Sequence, residues 1–286
     1  MKPPIAYFGG KTRLAPWIAA LMPPHRVYVE PFAGSAAVLF AKPRSTHEVI
    51  NDLDGQLVNF FRVLREQPDE MERLCRLTPY ARDEFAAAAV DAEALSDVER
   101  ARRWWVRSSQ SFAQTGGHNT GWSTSVKRGS NNARSAWNRI ERFAAAAERL
   151  ACVTIENRDA LEVVQAYDDP AGVVYADPPY LGSTRSSFCD ANGWSRRPAG
   201  DYAHEFSTDE DHRALAGVLG ALRATVFLSG YSSALYDEIY AGWWRLDRQV
   251  LCRASNGRSG SNGYRTEVLW CNRPIDGRLG LDEGLA

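Results

Sequence analysis

Asp177, Pro178, Pro179 and Tyr180 follow directly on the apolar, β-prone run Gly172–Ala176. This puts a carboxylate and an aromatic ring at the carboxyl end of a buried strand, the edge where open α/β sheets bind ligands. The two prolines stiffen the backbone and carry no N–H, so their carbonyls can only accept hydrogen bonds. A carboxylate, a bare carbonyl and an aromatic face suit a planar group bearing an –NH2. Asp177 and the Pro178 carbonyl would accept the amino hydrogens while the Tyr180 ring stacks on the base. The bland alternative is a plain turn with a surface tyrosine, and the buried strand before it weighs against that.

A second constellation, Glu30-Pro31-Phe32-Ala33-Gly34-Ser35-Ala36, follows the β-prone run Arg26–Glu30 and opens a helix. Gly34 permits close approach of a ligand to the backbone, and a helix start favours polar or anionic groups. A single glycine falls short of the dinucleotide-binding fingerprint. Asp52 ends the next strand about 20 residues on, where a carboxylate can hydrogen-bond ribose hydroxyls. A nucleoside-containing cofactor without a bound pyrophosphate fits better than NAD.

The elements that must position these groups alternate in kind. Up to about Asn59 the pattern reads helix (Leu14–Leu21), strand (Arg26–Glu30), helix from Gly34, strand (His47–Ile50) and helix (Leu57–Leu64), a βαβ unit that implies a parallel sheet. Residues 60–150 read as mostly helical, over Pro68–Leu77, Asp83–Val90, Ser96–Ser109 and Ala133–Leu150. They are interrupted at Gln114–Asn132 by a polar, glycine-rich loop or hairpin. From Ala151 the β/α pattern resumes with Val153–Glu156, helix Ala160–Ala166 and Gly172–Ala176. A polar insert, Leu181–Glu205, has the composition of a flap. A helix capped by Ser207 or Thr208 then runs to Leu222, followed by a strand over Ala224–Leu228. Leu246–Cys252 and Glu267–Cys271 pair naturally as a terminal hairpin. The expected organisation is a discontinuous α/β domain, 1–59 with 151–286, and a helical insertion, 60–150.

The 286 residues are 44% hydrophobic, with 34 basic and 35 acidic side chains, enough apolar content for a core and incompatible with a disordered chain. No apolar stretch reaches the ~18 residues of a membrane span, and the N-terminus has no signal-peptide core. Five scattered cysteines without a CxxC pair argue against a disulfide scaffold or zinc site. The expectation is a soluble, cytoplasmic protein. The near-neutral total hides a block: Arg100–Arg149 holds ten basic residues against Glu141 and Glu148, which suggests contact with a polyanion. Arg100, Arg102, Arg103 and Arg107 line DNA phosphates or simply face solvent. The five histidines read as structural or surface residues, His118 excepted for its loop, and Trp104-Trp105 and Trp243-Trp244 as core.

Tyr7-Phe8-Gly9-Gly10-Lys11, Glu30-Pro31-Phe32-Ala33-Gly34-Ser35, Asn51-Asp52, Asn157-Arg158-Asp159 and Asp177-Pro178-Pro179-Tyr180 occur in this order and spacing. Together they make the chain resemble the Dam-type (D12 class) DNA adenine-N6 methyltransferases, class-I enzymes dependent on S-adenosylmethionine. The resemblance covers nearly the whole chain and is weakest in the insertion. It implies a Rossmann-like sheet, largely parallel with a C-terminal antiparallel hairpin, and a DNA-recognition role for 60–150. It also implies that Tyr7, Phe8, Gly9 and Lys11 line the methionine end of the cofactor, Lys11 near its carboxylate. Glu30, Phe32 and Gly34 match the cofactor loop, Asp52 the ribose ligand, and Asp159 the reader of the cofactor's adenine amine. Asp177, Pro178, Pro179 and Tyr180 match the catalytic tetrapeptide around a flipped adenine in double-stranded DNA, with Asp177 also facing the cofactor. The family's second loop glycine is Ala36 here, and Tyr231 falls near the substrate pocket.

Methyl transfer from a sulfonium needs no metal, covalent nucleophile or strong base, in keeping with a sequence that has no metal-ligand cluster. Candidate DNA contacts are Arg107, Gln114, His118, Asn119, Trp122, Lys127 and Arg128, and a monomer is expected. Other readings stay open at this point: a methyltransferase for cytosine N4, an RNA base or a protein amide, and a non-catalytic DNA-binding relative. Aspartate at 177 favours adenine, the basic insertion favours nucleic acid, and the missing glycines disfavour a nicotinamide oxidoreductase.

Overall fold

The computed structural model describes residues 1–7, 9–89, 94–111, 121–124, 131–180, 208–251 and 264–275. Seven strands form one sheet among them: β1 (Val27–Glu30), β2 (His47–Asn51), β3 (Val153–Glu156), β4 (Gly172–Ala176), β5 (Thr225–Gly230), β6 (Trp244–Leu251) and β7 (Tyr264–Cys271). Their order is β3-β2-β1-β4-β5-β7-β6. The first five pair in parallel, and β7 inserts antiparallel between β5 and β6. This is the mixed, mostly parallel sheet with a C-terminal antiparallel pair that the resemblance implies. The strand order reverses between β1 and β4, so the loops after both strands flank one crevice.

Strand residues of alternating register feed two cores, as expected for a sheet covered on both faces. Tyr28, Val173, Tyr175 and Phe227 face one core, where α1 (Ala15–Leu21), α2 (Ala37–Ala41) and α3 (Gly55–Glu66) pack. Val29, Val174, Ala176, Val226 and Leu228 face the other, under α9 (Ala160–Ala166), α10 (Asp209–Ala221) and α11 (Ala234–Ile239). Thr208 caps α10 through a reciprocal box with Asp211.

Residues 60–150 are mostly helical where described, with α4 (Pro68–Leu77), α5 (Arg82–Ala87), α6 (Asp97–Gln110), α7 (Asn132–Ile140) and α8 (Phe143–Leu150). Phe60 stacks against Trp104 and Phe143, with ring centroids 5.2 and 5.9 Å apart. The cluster is continuous with Tyr28 and Ile50 of the sheet. The single helix expected over Ala133–Leu150 is broken at Glu141–Arg142, where α7 closes on a three-residue turn, Arg142 N–H to Arg139 carbonyl, 3.0 Å. The Arg142 guanidinium donates to the Pro3 carbonyl at 3.0 Å. Trp104 and Trp105 are core, as expected. Trp244 is not: β6 is the sheet edge, and Trp244 is 53% exposed while Trp243 packs on Tyr240. The short helix α11, capped by the Ser233 hydroxyl, went unread in the sequence because six residues show too little periodicity.

Four of the ten cations of the Arg100–Arg149 block are ion-paired inside the fold among the described residues. Arg100 pairs with Asp97, Arg102 with Glu84 and Glu99, and Arg103 with Glu99. These acids lie just upstream of Arg100, one helical turn away or on α5, so a window starting at Arg100 counts the cations and misses their partners. Arg149 is buried: it donates through both terminal nitrogens to Glu48 and to the Leu39 carbonyl (3.0 Å), while Lys42 Nζ reaches Glu48 at 2.6 Å. This triad ties the end of the helical segment to β2. Burial alone would raise the Glu48 pKa, but the hydrogen bonds from Arg149 and Lys42 outweigh it and hold the pKa below its ordinary 4.5. Removing one partner of a buried pair strands the other charges, at a cost of about 3–5 kcal/mol. Glu48→Gln is expected to lower the unfolding free energy by about 3–5 kcal/mol, read as a lower denaturant midpoint at unchanged slope. In the wild type the contribution is complete above pH 4.5 and lost as pH falls through the lowered native value.

Candidate active site

The carboxyl ends of β1, β2 and β4 open on one cavity, lined by Tyr7, Gly9, Lys11, Glu30, Phe32, Gly34, Asp52, Asp177, Pro179 and Tyr180. The structure thus gathers into one wall groups spread over more than half the chain.

The loop after β1 is shaped by two left-handed residues. Gly34 has φ +47°, and a Cβ there would sit 2.9 Å from the Tyr7 ring. Ala36, at φ 51° and ψ 38°, keeps the left-handed conformation although it is not glycine, at a strain of roughly 1 kcal/mol. The Gly34 N–H donates to Asp52 Oδ2 at 2.9 Å, and Asp52 Oδ1 accepts from Asp54 N at 3.0 Å. Two backbone N–H groups thus fix the carboxylate at the cavity edge, where such a group accepts hydrogen bonds from hydroxyls. Leu53, which the sequence reading passed over, is 39% exposed and lines the cavity.

Asn51 knits the neighbouring loops. Its Nδ2 donates to the Pro31 and Arg158 carbonyls, both at 3.0 Å, and its Oδ1 accepts from Arg158 N at 2.9 Å. Asn157 donates to the Asp52 carbonyl at 2.7 Å. Asp159 is exposed; its Oδ1 caps α9 through Leu161 and Glu162 N–H, and the next residue, Ala160, lines the cavity.

Glu30 is 2% exposed. Its Oε2 accepts from the Tyr28 hydroxyl at 2.8 Å and from Leu39 N at 3.1 Å. Burial lifts its pKa to about 8 against these hydrogen bonds. The carboxyl is therefore protonated at neutral pH.

At the end of β4, Lys11 Nζ sits 2.9 Å from Asp177 Oδ1, donates to the Tyr180 hydroxyl and to the Gly9 carbonyl (3.3 Å), and is itself buried. The Tyr180 hydroxyl lies 3.3 Å from both Asp177 Oδ1 and Glu267 Oε2. Burial raises the Asp177 pKa, and the Lys11 ammonium opposes the rise. Tyr231, on the loop after β5, meets the Tyr180 ring at 4.6 Å between centroids. Glu267 was missed because β7 joins the site only through sheet pairing, some 90 residues beyond Asp177.

Of the candidate DNA contacts, Arg107 and Trp122 are described. Arg107 lies 4.2 Å over the Phe85 ring with no carboxylate against it among the described residues. Trp122 bridges back to Ser111, donates to Gln110 Oε1 at 3.3 Å and carries Arg82 4.7 Å over its ring. Phe8, Gln114, His118, Asn119, Lys127 and Arg128 lie outside the described residues, as does the 181–205 insert. Among the described residues no group of three or more His, Cys, Asp or Glu could hold a metal ion, and no helix is long and apolar enough to cross a membrane.

The native Glu30 keeps its proton to about pH 8, whereas the unfolded chain releases it near 4.5. The native state binds more protons between those values, so this group lowers stability as pH rises through them. Glu30→Gln keeps the acceptor for Tyr28 and Leu39 without the ionisation. Unfolding of both proteins by denaturant at pH 5 and pH 8 is expected to show a smaller loss of stability at pH 8 in the variant.

A family model for D12 class N6 adenine-specific DNA methyltransferases matches residues 7–242, most of the chain and nearly all of the site just described. The chain is also similar to a Type II methyltransferase, M1.LlaDCHI, of Lactococcus lactis subsp. cremoris, at 26% identity over 287 aligned positions covering 95% of each protein. With the cavity, the sheet order and the match to the family in agreement, the chain belongs to the D12 class N6 adenine-specific DNA methyltransferases.

Proposed function

We propose that the protein transfers a methyl group from S-adenosylmethionine to the exocyclic N6 amine of an adenine flipped out of double-stranded DNA. The observation that carries this reading is the meeting of Asp177 and Tyr180 with the Gly34–Asp52 loops in a single cavity. One wall can hold a nucleoside and the other a planar amine.

The described residues fit the cofactor. Gly34 leaves room that a Cβ would fill against Tyr7, Asp52 offers oxygens to ribose hydroxyls, and exposed Leu53 offers an apolar surface to a base. Lys11, Glu30, Phe32 and Gly9 surround the adjoining end, with Asp159 at the rim. When bound, S-adenosylmethionine supplies a methyl group on a sulfonium whose S–C electron pair leaves with the sulfur as the C–N bond forms. Asp177 and the Pro178 carbonyl accept the amino hydrogens and turn the nitrogen lone pair toward that methyl group. Asp177 also stabilises the positive charge that grows on the amine nitrogen and is the nearest base for the proton it then loses. Tyr180 stacks on the base, Pro179 stiffens the loop, and holding both reactants in line supplies much of the remaining rate. Residues 60–150 are assigned to DNA recognition, with Arg107 and Trp122 among the contacts. The ion pairing of Arg100, Arg102 and Arg103 leaves Arg107 as the phosphate ligand of that run.

Mass spectrometry of nucleosides from unmethylated DNA incubated with protein and S-adenosylmethionine tests the reaction. N6-methyladenine is expected, and Asp177→Ala should reduce its rate at least ~100-fold by removing the group that complements the developing charge. Methylcytosine in its place would refute the adenine assignment. Gly34→Ala forces a strained backbone against Tyr7 and is expected to weaken S-adenosylmethionine binding by about tenfold, a penalty near 1.4 kcal/mol. Calorimetric titration with the cofactor reads this directly.

A further inference from the structure

Glu267 belongs to none of the motifs that mark the site, yet its carboxylate reaches the catalytic edge from the antiparallel strand β7. The β5–β7 ladder ends at the pair Gly230 and Val268. One step further the same register sets Glu267 beside Tyr231. Its Oε2 lies 3.3 Å from the Tyr180 hydroxyl and 3.8 Å from Lys11 Nζ, and its side chain is 14% exposed.

Lys11 thus stands between two carboxylates, 2.9 Å from Asp177 and 3.8 Å from Glu267. The reaction requires Asp177 to accept hydrogen bonds from the target amine, but in this structure Lys11 already engages its Oδ1. A buried ammonium cannot give up its counter-ion without another, because an unpaired charge out of water is costly. Among the chain's own described side chains Glu267 is that other partner, and a shift of roughly 1 Å brings Lys11 within hydrogen-bond distance of it.

We propose that Glu267 is a positioning residue for methyl transfer, taking the Lys11 ammonium as the target amine takes Asp177 and holding the Tyr180 hydroxyl meanwhile. The proposal rests on the role given above to Asp177. It also accounts for the charge of the site: two carboxylates and one ammonium leave a single negative charge, complementary to the cation that forms on the amine nitrogen. Replacing Glu267 by a neutral group cancels that complement and leaves Lys11 clamped on Asp177.

The test uses the full-length chain and its Glu267→Gln and Glu267→Asp variants. Glu267→Gln is expected to lower kcat by about 10- to 100-fold through misplacement of the reacting groups, with the KM for DNA changed less than about threefold. Glu267→Asp should recover part of the rate. The titratable groups facing Asp177 are Lys11, Glu267 and the protonated Glu30, with Tyr175, Tyr180 and Tyr236 around them. Of these Glu267 raises the Asp177 pKa. The acid limb of kcat/KM must therefore move to lower pH in Glu267→Gln and return toward the wild-type position in Glu267→Asp, which restores the charge. Unchanged kcat and acid limb, or a Glu267→Asp no better than Glu267→Gln, would overturn the proposal. Carbon NMR of labelled aspartate reads the same coupling without turnover. The Asp177 titration midpoint falls in Glu267→Gln if the proposal holds, and an unmoved midpoint refutes it even for a chain that methylates no adenine.

Discussion

A mostly parallel sheet covered on both faces must satisfy the backbone polar groups where its strands end and the ladder stops, and the rest of this structure follows from how side chains do so. Strand-to-strand hydrogen bonds stop at the carboxyl edge, where side chains take over. Asn51 answers the carbonyls of two separate loops and one N–H, Asp52 receives the Gly34 amide, and Glu30 receives that of Leu39. Short polar side chains at the ends of β1 and β2 therefore hold the cavity open in one shape. Residues read as ligand-binding are also those that build the edge, which is why their substitution bears on stability as well as on binding.

The second consequence is electrostatic. Burying Asp177 for chemistry would neutralise it by raising its affinity for protons, and Lys11 counters that by standing beside it. A fixed ammonium would in turn occupy the very oxygen the substrate needs. A second carboxylate, delivered by a strand running in the opposite direction, makes the pairing exchangeable instead of permanent. The same logic of buried charges in company recurs where Arg149 and Lys42 share Glu48, but there both cations converge on one carboxylate and are held by the Leu39 and Pro43 carbonyls and the Ser45 hydroxyl, and the result is a staple.

Charge counted along the chain misled in an instructive way. The excess of cations between Arg100 and Arg149 is real, yet Asp97 and Glu99 in the first turn of α6 and Glu84 on α5 neutralise much of it. Acids in a first turn and bases a turn later are what the helix dipole and one-turn pairing both favour. Arg107, farther along α6 with an aromatic ring beneath its guanidinium, is what the pairing leaves over.

Much of the frame was legible in the residues themselves. Runs such as Gly172–Ala176 and Val153–Glu156, too apolar or β-branched for anything but strands, gave the βαβ order, and a strand followed at once by Asp-Pro-Pro-Tyr announced a site at its end. These are local signals, carried by a few adjacent side chains. What the tertiary structure alone decided is which distant groups share a wall: that Lys11 bonds Asp177, that Glu267 crosses from β7 to the Tyr180 hydroxyl, that Ala36 keeps a left-handed turn, that Trp244 stands at an open edge. Strand order and register set most of those relations, and they arise from the pairing of segments well separated in the chain, where no local pattern records the partner.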